Sequence, residues 1–512
     1  MRHCLILLLG LLLISPVAEA KKLVVKKGTD LPTIQSGVDA ATAGDRIVVK
    51  SGVYQENVVI PSTHTGLTLK ASGQVTIEAR AAGGVGAGPA VRIECADVTV
   101  QGFTIQNAAT DPSPPNDPGC GILTTESSLT VRQVMFRDNA AAAIWAPQGD
   151  GTHVQDCVFL GNRSALNITG DDVIVTGLRV ANSDQSALII AGGSASITSC
   201  DVSNCGGTAF DITGPSCLVF KNTVNLAGGH GVVVDGNWAK IRDNKLCDLG
   251  SDAISVVGDY ADVNDNQIEQ TAGGTGVFLD GNNHSVRGNR IRRTRSHCIH
   301  VVGENASIHD NNVSHPTAGS GIVADGDNPL VTENRVAHVM GDHTGITMQN
   351  AVTVGLLDGN SVDNVTDAGI EVAVTCLDVT IRGNTVTRAG NNHEDGFSIL
   401  GDGHVLRNNT ASNNGGDGFN ITGIDILLRG NTATENGRDG FDIEGGSSVS
   451  ILENRAEGNA AEGIENNATG TIIADNFSKQ NRIDYANSGT VQSFTGNASG
   501  DGSDDTTLPE ID

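Results

Sequence analysis

The sequence predicts an all-β fold, a single-stranded right-handed parallel β-helix of about 17 coils with a short N-terminal capping helix. Three observations predict it. A short phrase recurs at near-constant spacing, its apolar residues alternate with polar ones, and an Asn follows most copies at a fixed offset.

The phrase is an apolar anchor, a variable residue, a second apolar residue, another variable residue and Gly. It reads FDITG from Phe210, VVVDG from Val232, ISVVG from Ile254, VFLDG from Val277, IHVVG from Ile299 and FNITG from Phe419. Seventeen such anchors run from Val91 to Ile464, and nine of the sixteen steps between them are 22 residues. A period of that length means stacked copies of one unit. Alternation within each phrase is the mark of a half-buried strand, and the Gly supplies a turn. A leucine-rich repeat has a similar period, but its Leu/Asn consensus is missing.

Eight residues beyond the Gly, Asn recurs at 222, 244, 266, 289, 311, 334, 409 and 431, with Asn360, Asn384, Asn454 and Asn476 in equivalent places. Stacked at one turn, such side chains can hydrogen-bond their neighbours above and below. Seventeen coils at a strand spacing of about 4.8 Å make a rod roughly 80 Å long.

A rod of stacked coils needs covered ends. The segment 32–43, with Thr33, Ile34, Val38 and Ala41 at helical spacing, suits a capping helix ahead of the strand Arg46-Ile47-Val48-Val49. The expected organisation is a signal peptide over 1–20, a cap and first strands over 21–60, the β-helix over 61–496 and an acidic disordered tail over 497–512. The leader reading rests on Arg2 and His3, the apolar run from Cys4 to Ile14 and the small residues Ala18 and Ala20. It implies a secreted or periplasmic product cleaved near residue 20. No later apolar run approaches the roughly 20 residues that span a bilayer, so no transmembrane segment is expected.

The net charge of −27 excludes nucleic acid as a natural partner, since its recognition needs a basic stripe. An anionic glycan would need a bridging cation or a local basic patch. The nine cysteines after the leader, from Cys95 to Cys376, lack CxxC pairs and read as small buried residues inside coils.

The stretch PTIQSGVDAATAGDRIVVKSGVYQENVVI at 32–60 resembles the opening of pectinesterases and other pectin-lyase-like proteins. The later coils are similar to the repeats of carbohydrate-binding and sugar-hydrolysing β-helices and of NosD-like periplasmic maturation proteins. The resemblance implies architecture far more than chemistry. Where pectinesterases carry two catalytic carboxylates, this chain has Ser164 and the run Ser186-Ala187-Leu188, which argues against esterase activity. Asp171-Asp172 and Gly229-His230-Gly231 look like polygalacturonase motifs. They lie nearly three coils apart instead of one, and so read as turn residues.

Chemistry is expected where the period breaks. Between the anchors Ile299 and Phe397 the steps lengthen to 23, 24, 24 and 27 residues. The candidate catalytic set there is His297, His300, Asp325, His343, Glu371 and His393, since imidazoles beside carboxylates suit general acid–base work. Asp280, Asp342, Glu394 and Asp395 are candidate ligands for a divalent cation such as calcium, the expected cofactor if there is one. Arg292, Arg293 and Arg295 form a basic patch fit for a sugar carboxylate. Trp238 and Tyr260 follow their Gly by the same two residues, so they should stack as an aromatic platform. These readings imply a monomeric protein that binds an extracellular polysaccharide, uronate-containing polymers first. Lyase, epimerase or hydrolase activity would follow if it is an enzyme. The alternative is a non-catalytic β-helix serving as a surface, adhesive or maturation protein.

Overall fold

A computed structural model describes residues 20–79, 88–110, 118–350, 352–390 and 393–500. The expected signal peptide, up to residue 19, and residues 501–512 of the expected tail lie outside the described residues. The chain is a parallel β-solenoid in which each coil contributes three short strands, one to each of three stacked faces. The first face carries the recurring phrases, for example Phe210–Thr213, Val232–Asp235 and Ile254–Val257, paired so that Phe210, Val232 and Ile254 align. The second face holds strands such as Leu218–Phe220 and Lys240–Arg242, and the third holds Thr223–Ala227 and Lys245–Leu249.

The solenoid has about 21 turns, more than the expected 17. The difference lies at the ends, where the phrase is degenerate. Val58–Ile60 adds a rung before the first anchor and Ile483–Asn487 one after the last. Lys22–Val25 and the two long strands Arg46–Gln55 and Thr68–Glu78, which span second and third faces, open the stack. At the far end Ala498–Ser499 still pairs with Phe477 and Ser478, so the stack runs past residue 496.

Alternation sends every second strand residue inward. Ile212, Val234, Val256, Leu279 and Val301 are buried, and the rings of Phe397, Phe419 and Phe441 stack along the axis at 4.6 and 4.8 Å. The phrase Gly is required by close approach: a Cβ on Gly236 would stand 2.3 Å from the Gly214 carbonyl oxygen of the previous coil.

The Asn column forms as its spacing predicts. From Asn244 to Asn497 each side-chain Oδ1 accepts the backbone N–H of the preceding Asn, as Asn244 does from Asn222 at 2.9 Å and Asn497 from Asn476 at 3.0 Å, while Asn222 accepts from Cys200. The side-chain amide then donates to the next Oδ1 and to a strand carbonyl, as in Asn289 to Asn311 and Val263. The buried side-chain amide of each ladder Asn is thereby matched.

The helix Ile34–Asp39 covers the first coils. Thr33 and Ser36 cap it reciprocally, and Glu56 accepts from the backbone N–H groups of Ile34 and Gln35 at 2.8 and 3.0 Å. Ile34 and Val38 are fully buried in the same core as Val25 and Ile47. Among the described residues, Cys95, Cys157, Cys200, Cys205, Cys217, Cys298 and Cys376 are free and buried, and Cys247 is free and half-buried. Burial raises the Cys157 thiol to about 12, which makes it unreactive at neutral pH.

Candidate functional site

Two positions of the repeat define a polar stripe along one edge of the first face. The first lies two residues before each anchor, where the chain enters the face. It stacks His230, Asp252, Thr275, His297, Ser320 and Thr344 in successive coils, then Ala368, Asp395, Asp417, Asp439 and Glu462. The second lies one residue after the anchor and points outward. It stacks Phe278, His300, Val323, Thr347, Glu371, Ser398, Asn420, Asp442 and Glu465.

The upper part of the stripe is an imidazole cluster. His297 Nδ1 accepts the Ser320 N–H at 3.0 Å, so a neutral ring carries its proton on Nε2. Burial, reinforced by His300 and His343, lowers the His297 pKa to about 4. The rings of His297 and His300 meet edge to face at 5.2 Å, and Phe278 backs His300 at 5.5 Å. Burial also lowers the His300 pKa, against the opposing pull of Asp325 and Asp280. His300 Nε2 lies 3.9 Å from Asp325 Oδ2, too far for a hydrogen bond, and is buried without a hydrogen-bond partner. Asp325 is instead held by Asn350 at 2.8 Å.

The middle of the stripe is a carboxylate pair around a hydroxyl, with Thr344 Oγ1 3.2 Å from both Asp367 Oδ2 and Glu371 Oε2. Burial raises the Glu371 pKa and the nearby Asp367 adds to it, while the Thr344 hydrogen bond opposes.

The lower part is an acidic column. Each Asp Oδ1 accepts the N–H of the next turn residue, Asp395 from Asp417 and Asp417 from Asp439 at 2.7 Å, and Asp439 from Glu462 at 2.5 Å. Burial drives Asp395 and Asp442 up to about 7 and Asp439 to about 8.

The structure therefore brings together His297, His300, Asp325 and Asp280. It places Glu371 three rungs from His300, about 14 Å at the strand spacing. His343 sits in the turn before Thr344, and His393 and Glu394 are exposed one rung below Glu371. Asp280, Asp342 and Glu394 fall on three different levels, so they do not converge on one ion. The close acidic groups are Asp417, Asp439 and Asp442, and Asp439, Glu462 and Glu465.

The arginines also divide. Arg292 lies in a third-face strand and lines a cavity of about 260 Å³ with Lys245, Gln267, Glu269 and Arg290. Arg293 pairs with Glu269 at 3.2 Å, and Arg295 is exposed in the following turn. Trp238 and Tyr260 do stack, with ring centroids 4.1 Å apart and planes 2° from parallel, but on the turn that leaves the first face, the edge opposite the histidines. Asp171 and His230 are likewise on opposite edges. Asp171 holds the Gly193 N–H at 2.7 Å, and His230 lies 3.4 Å from Asp252.

Asp417, Asp439, Asp442, Glu462 and Glu465 were not among the expected site residues. The signal that finds them is Asp-Gly-Phe repeated at 395, 417 and 439, whose 22-residue spacing stacks the carboxylates.

Comparison with known proteins gives the following. No curated protein matches the chain significantly. Among solved structures, a pectin methylesterase from Aspergillus niger is 13% identical over 50% of this chain and 86% of its own, with a TM-score of 0.31. A periplasmic alginate epimerase is 12% identical over 66% and 78%, at 0.30. A PL6-family alginate lyase is 11% identical over 93% and 100%, also at 0.30. At these scores the likenesses carry nothing about chemistry. The model of the right handed beta helix region matches residues 230–386 and 378–501, more than half the chain. With its stacked phrases and unbroken Asn column, the chain belongs to the right-handed β-helix family.

Proposed function

We propose that this protein binds an extracellular polysaccharide along the polar stripe of the first face, with His297, His300, Asp325, His343 and Glu371 as its central contacts. The observation that carries the reading is His300 Nε2, a buried polar atom on the outward side of a strand with no hydrogen-bond partner in the protein and only a 3.9 Å contact to Asp325. Unmatched groups of this kind are rare, and a ligand hydroxyl or carboxylate is the natural complement. The neutral His297 ring adds an N–H donor, and Thr344 with Glu371, whose pKa burial raises, adds a second contact point three rungs on. That interval, about 14 Å, suits an extended polymer better than a single small sugar. Uronate-containing polymers are the first candidates. Trp238 and Tyr260 are a secondary platform for sugar rings, and Arg295 an outlying cation, in the same proposal. In the same proposal, the apolar leader read at residues 1–20 would direct the protein out of the cytoplasm. No helix among the described residues is long and apolar enough to cross a membrane.

Binding without turnover is the second reading, and one observation favours it. Inverting glycoside hydrolysis needs its two groups about 6.5–9.5 Å apart, and His300 and Glu371 exceed that. The test is a panel of alginate, polygalacturonate and a neutral glucan, scoring retention together with unsaturated products, reducing ends and proton exchange. Retention of at least one polymer, reduced in His300→Ala, supports binding. Products that vanish in His343→Ala and Glu371→Gln would make the stripe catalytic. Equal retention by wild type and by His300→Ala would refute the site.

A further inference from the structure

The sequence repeats one unit three times at the lower end of the stripe: Asp395-Gly396-Phe397, Asp417-Gly418-Phe419 and Asp439-Gly440-Phe441. The Phe rings stack inward, and the Gly allows coils to approach, since a Cβ on Gly418 would lie 2.6 Å from the Gly440 carbonyl oxygen. Each Asp spends one oxygen on the backbone of the next coil. One residue past the Phe, Asn420 and Asp442 align on adjacent rungs and face the same edge.

The remaining oxygens have no such partners. Asp417 is fully buried and Asp442 is 4% exposed, yet Asp417 Oδ2, Asp442 Oδ1 and Asn420 Oδ1 are all buried without a hydrogen bond. One oxygen each from Asp417, Asp439 and Asp442 lie within 4.8 Å of one another. Nearby positive charge is limited. Arg438 reaches Asp417 Oδ2 at 3.3 Å without hydrogen-bond geometry, and its side chain is half exposed. One guanidinium at the rim does not offset three buried carboxylates, which must either keep protons or hold a cation.

We propose that Asp417, Asp439 and Asp442, with the side-chain carbonyl of Asn420, form a binding site for one divalent cation of the calcium class that clamps two successive coils together. All the donors are oxygen, which selects a hard ion. Oxygens that close can each approach within the 2.3–2.6 Å that calcium takes, and water fills the rest of its six to eight positions. Magnesium, which demands a small octahedron and dehydrates reluctantly, fits a rigid wall of stacked strands less well. The neighbouring group of Asp439, Glu462 and Glu465 shares one ligand but is less buried and carries none of the three unmatched oxygens. The site lies at the lower end of the stripe, beyond the residues named as central polysaccharide contacts, and its test uses no polymer.

The full chain, stripped with EDTA and dialysed, is titrated with calcium chloride by calorimetry and melted with and without the ion. The expected result is saturable uptake of one calcium per chain and a melting midpoint raised by several degrees, with magnesium at least tenfold weaker. Asp442→Asn keeps the shape, lowers calcium affinity at least tenfold and removes the shift in midpoint, whereas Glu465→Gln leaves both in place. No saturable uptake by wild type, equal affinity for magnesium, or loss in Glu465→Gln with Asp442→Asn unaffected would each overturn the assignment. Wild-type titration decides the matter even if Asp442→Asn fails to fold.

Discussion

His300 and Glu371 occupy the same outward position of the first face, with only Val323 and Thr347 between them in the column. They are too far apart to share one glycosidic bond but can touch successive residues of one polymer. Groups so separated should act independently. His300→Ala and Glu371→Gln are each expected to weaken polysaccharide binding by about 1 kcal/mol, roughly fivefold, and the double variant to show the sum. Binding isotherms of the four proteins check this, and strong non-additivity would mean a shared contact.

The His297 ring sets a pH dependence of stability. Burial holds its folded pKa near 4, below the ordinary 6.5, with His300 and His343 adding to the effect. Between those values the unfolded chain binds the extra proton, so stability should rise with pH from 4 to 6.5 and fall as pH drops through that window. Allowing for partial exposure, the span is about 2 kcal/mol. Urea midpoints measured across the window should show the rise in wild type and a flatter profile in His297→Asn, which keeps an acceptor for the Ser320 N–H but does not titrate.

Asn289 receives the backbone N–H and side-chain amide of Asn266 and donates to Val263 and Asn311. Asn289→Ala strands these groups in the interior and should cost roughly 2–4 kcal/mol. Asn305 sits in an exposed turn with a left-handed backbone at φ 58°, so Asn305→Ala loses chiefly the tolerance of Asn for that conformation and should cost about 1 kcal/mol. Denaturant unfolding of the pair measures the difference between an internal and a superficial amide stack.

Trp238 and Tyr260 cover one ring face each with the other, which leaves 51% and 42% of the residues exposed. In a Trp145→Phe background Trp238 is the sole indole, because the chain has two Trp. Addition of a bound polymer should shift its emission if the platform takes part, and leave it unchanged if binding stays on the histidine edge.

The repeat made the fold legible because strand period, Gly turn and Asn offset all agree in the central coils. It misjudged the ends, where Lys22–Val25 and Ile483–Asn487 pair in register and bury Val25 and Tyr485 but lack the phrase. The site was legible where residues on neighbouring coils share a register, as with His297, His300 and Asp325. It failed for Arg292, because the chain turns a corner between residues 292 and 299 and sends that side chain to another face. The buried carboxylates were hidden for a different reason. An Asp before Gly looks like an ordinary turn former, and only the vertical alignment of 417, 439 and 442 removes them from water.

The Asn column starts at Asn222, and the equivalent places in the three preceding coils hold Cys200, Leu178 and Cys157, which offer no amide to pass on. Contacts in this molecule reach only from one coil to the next, so its stability behaves as a one-dimensional zipper of nearest-neighbour terms. The downstream two-thirds then has the stiffer teeth. Unzipping under heat or force should begin among the coils before residue 222, and the end that carries the polar stripe should stay wound while the other frays.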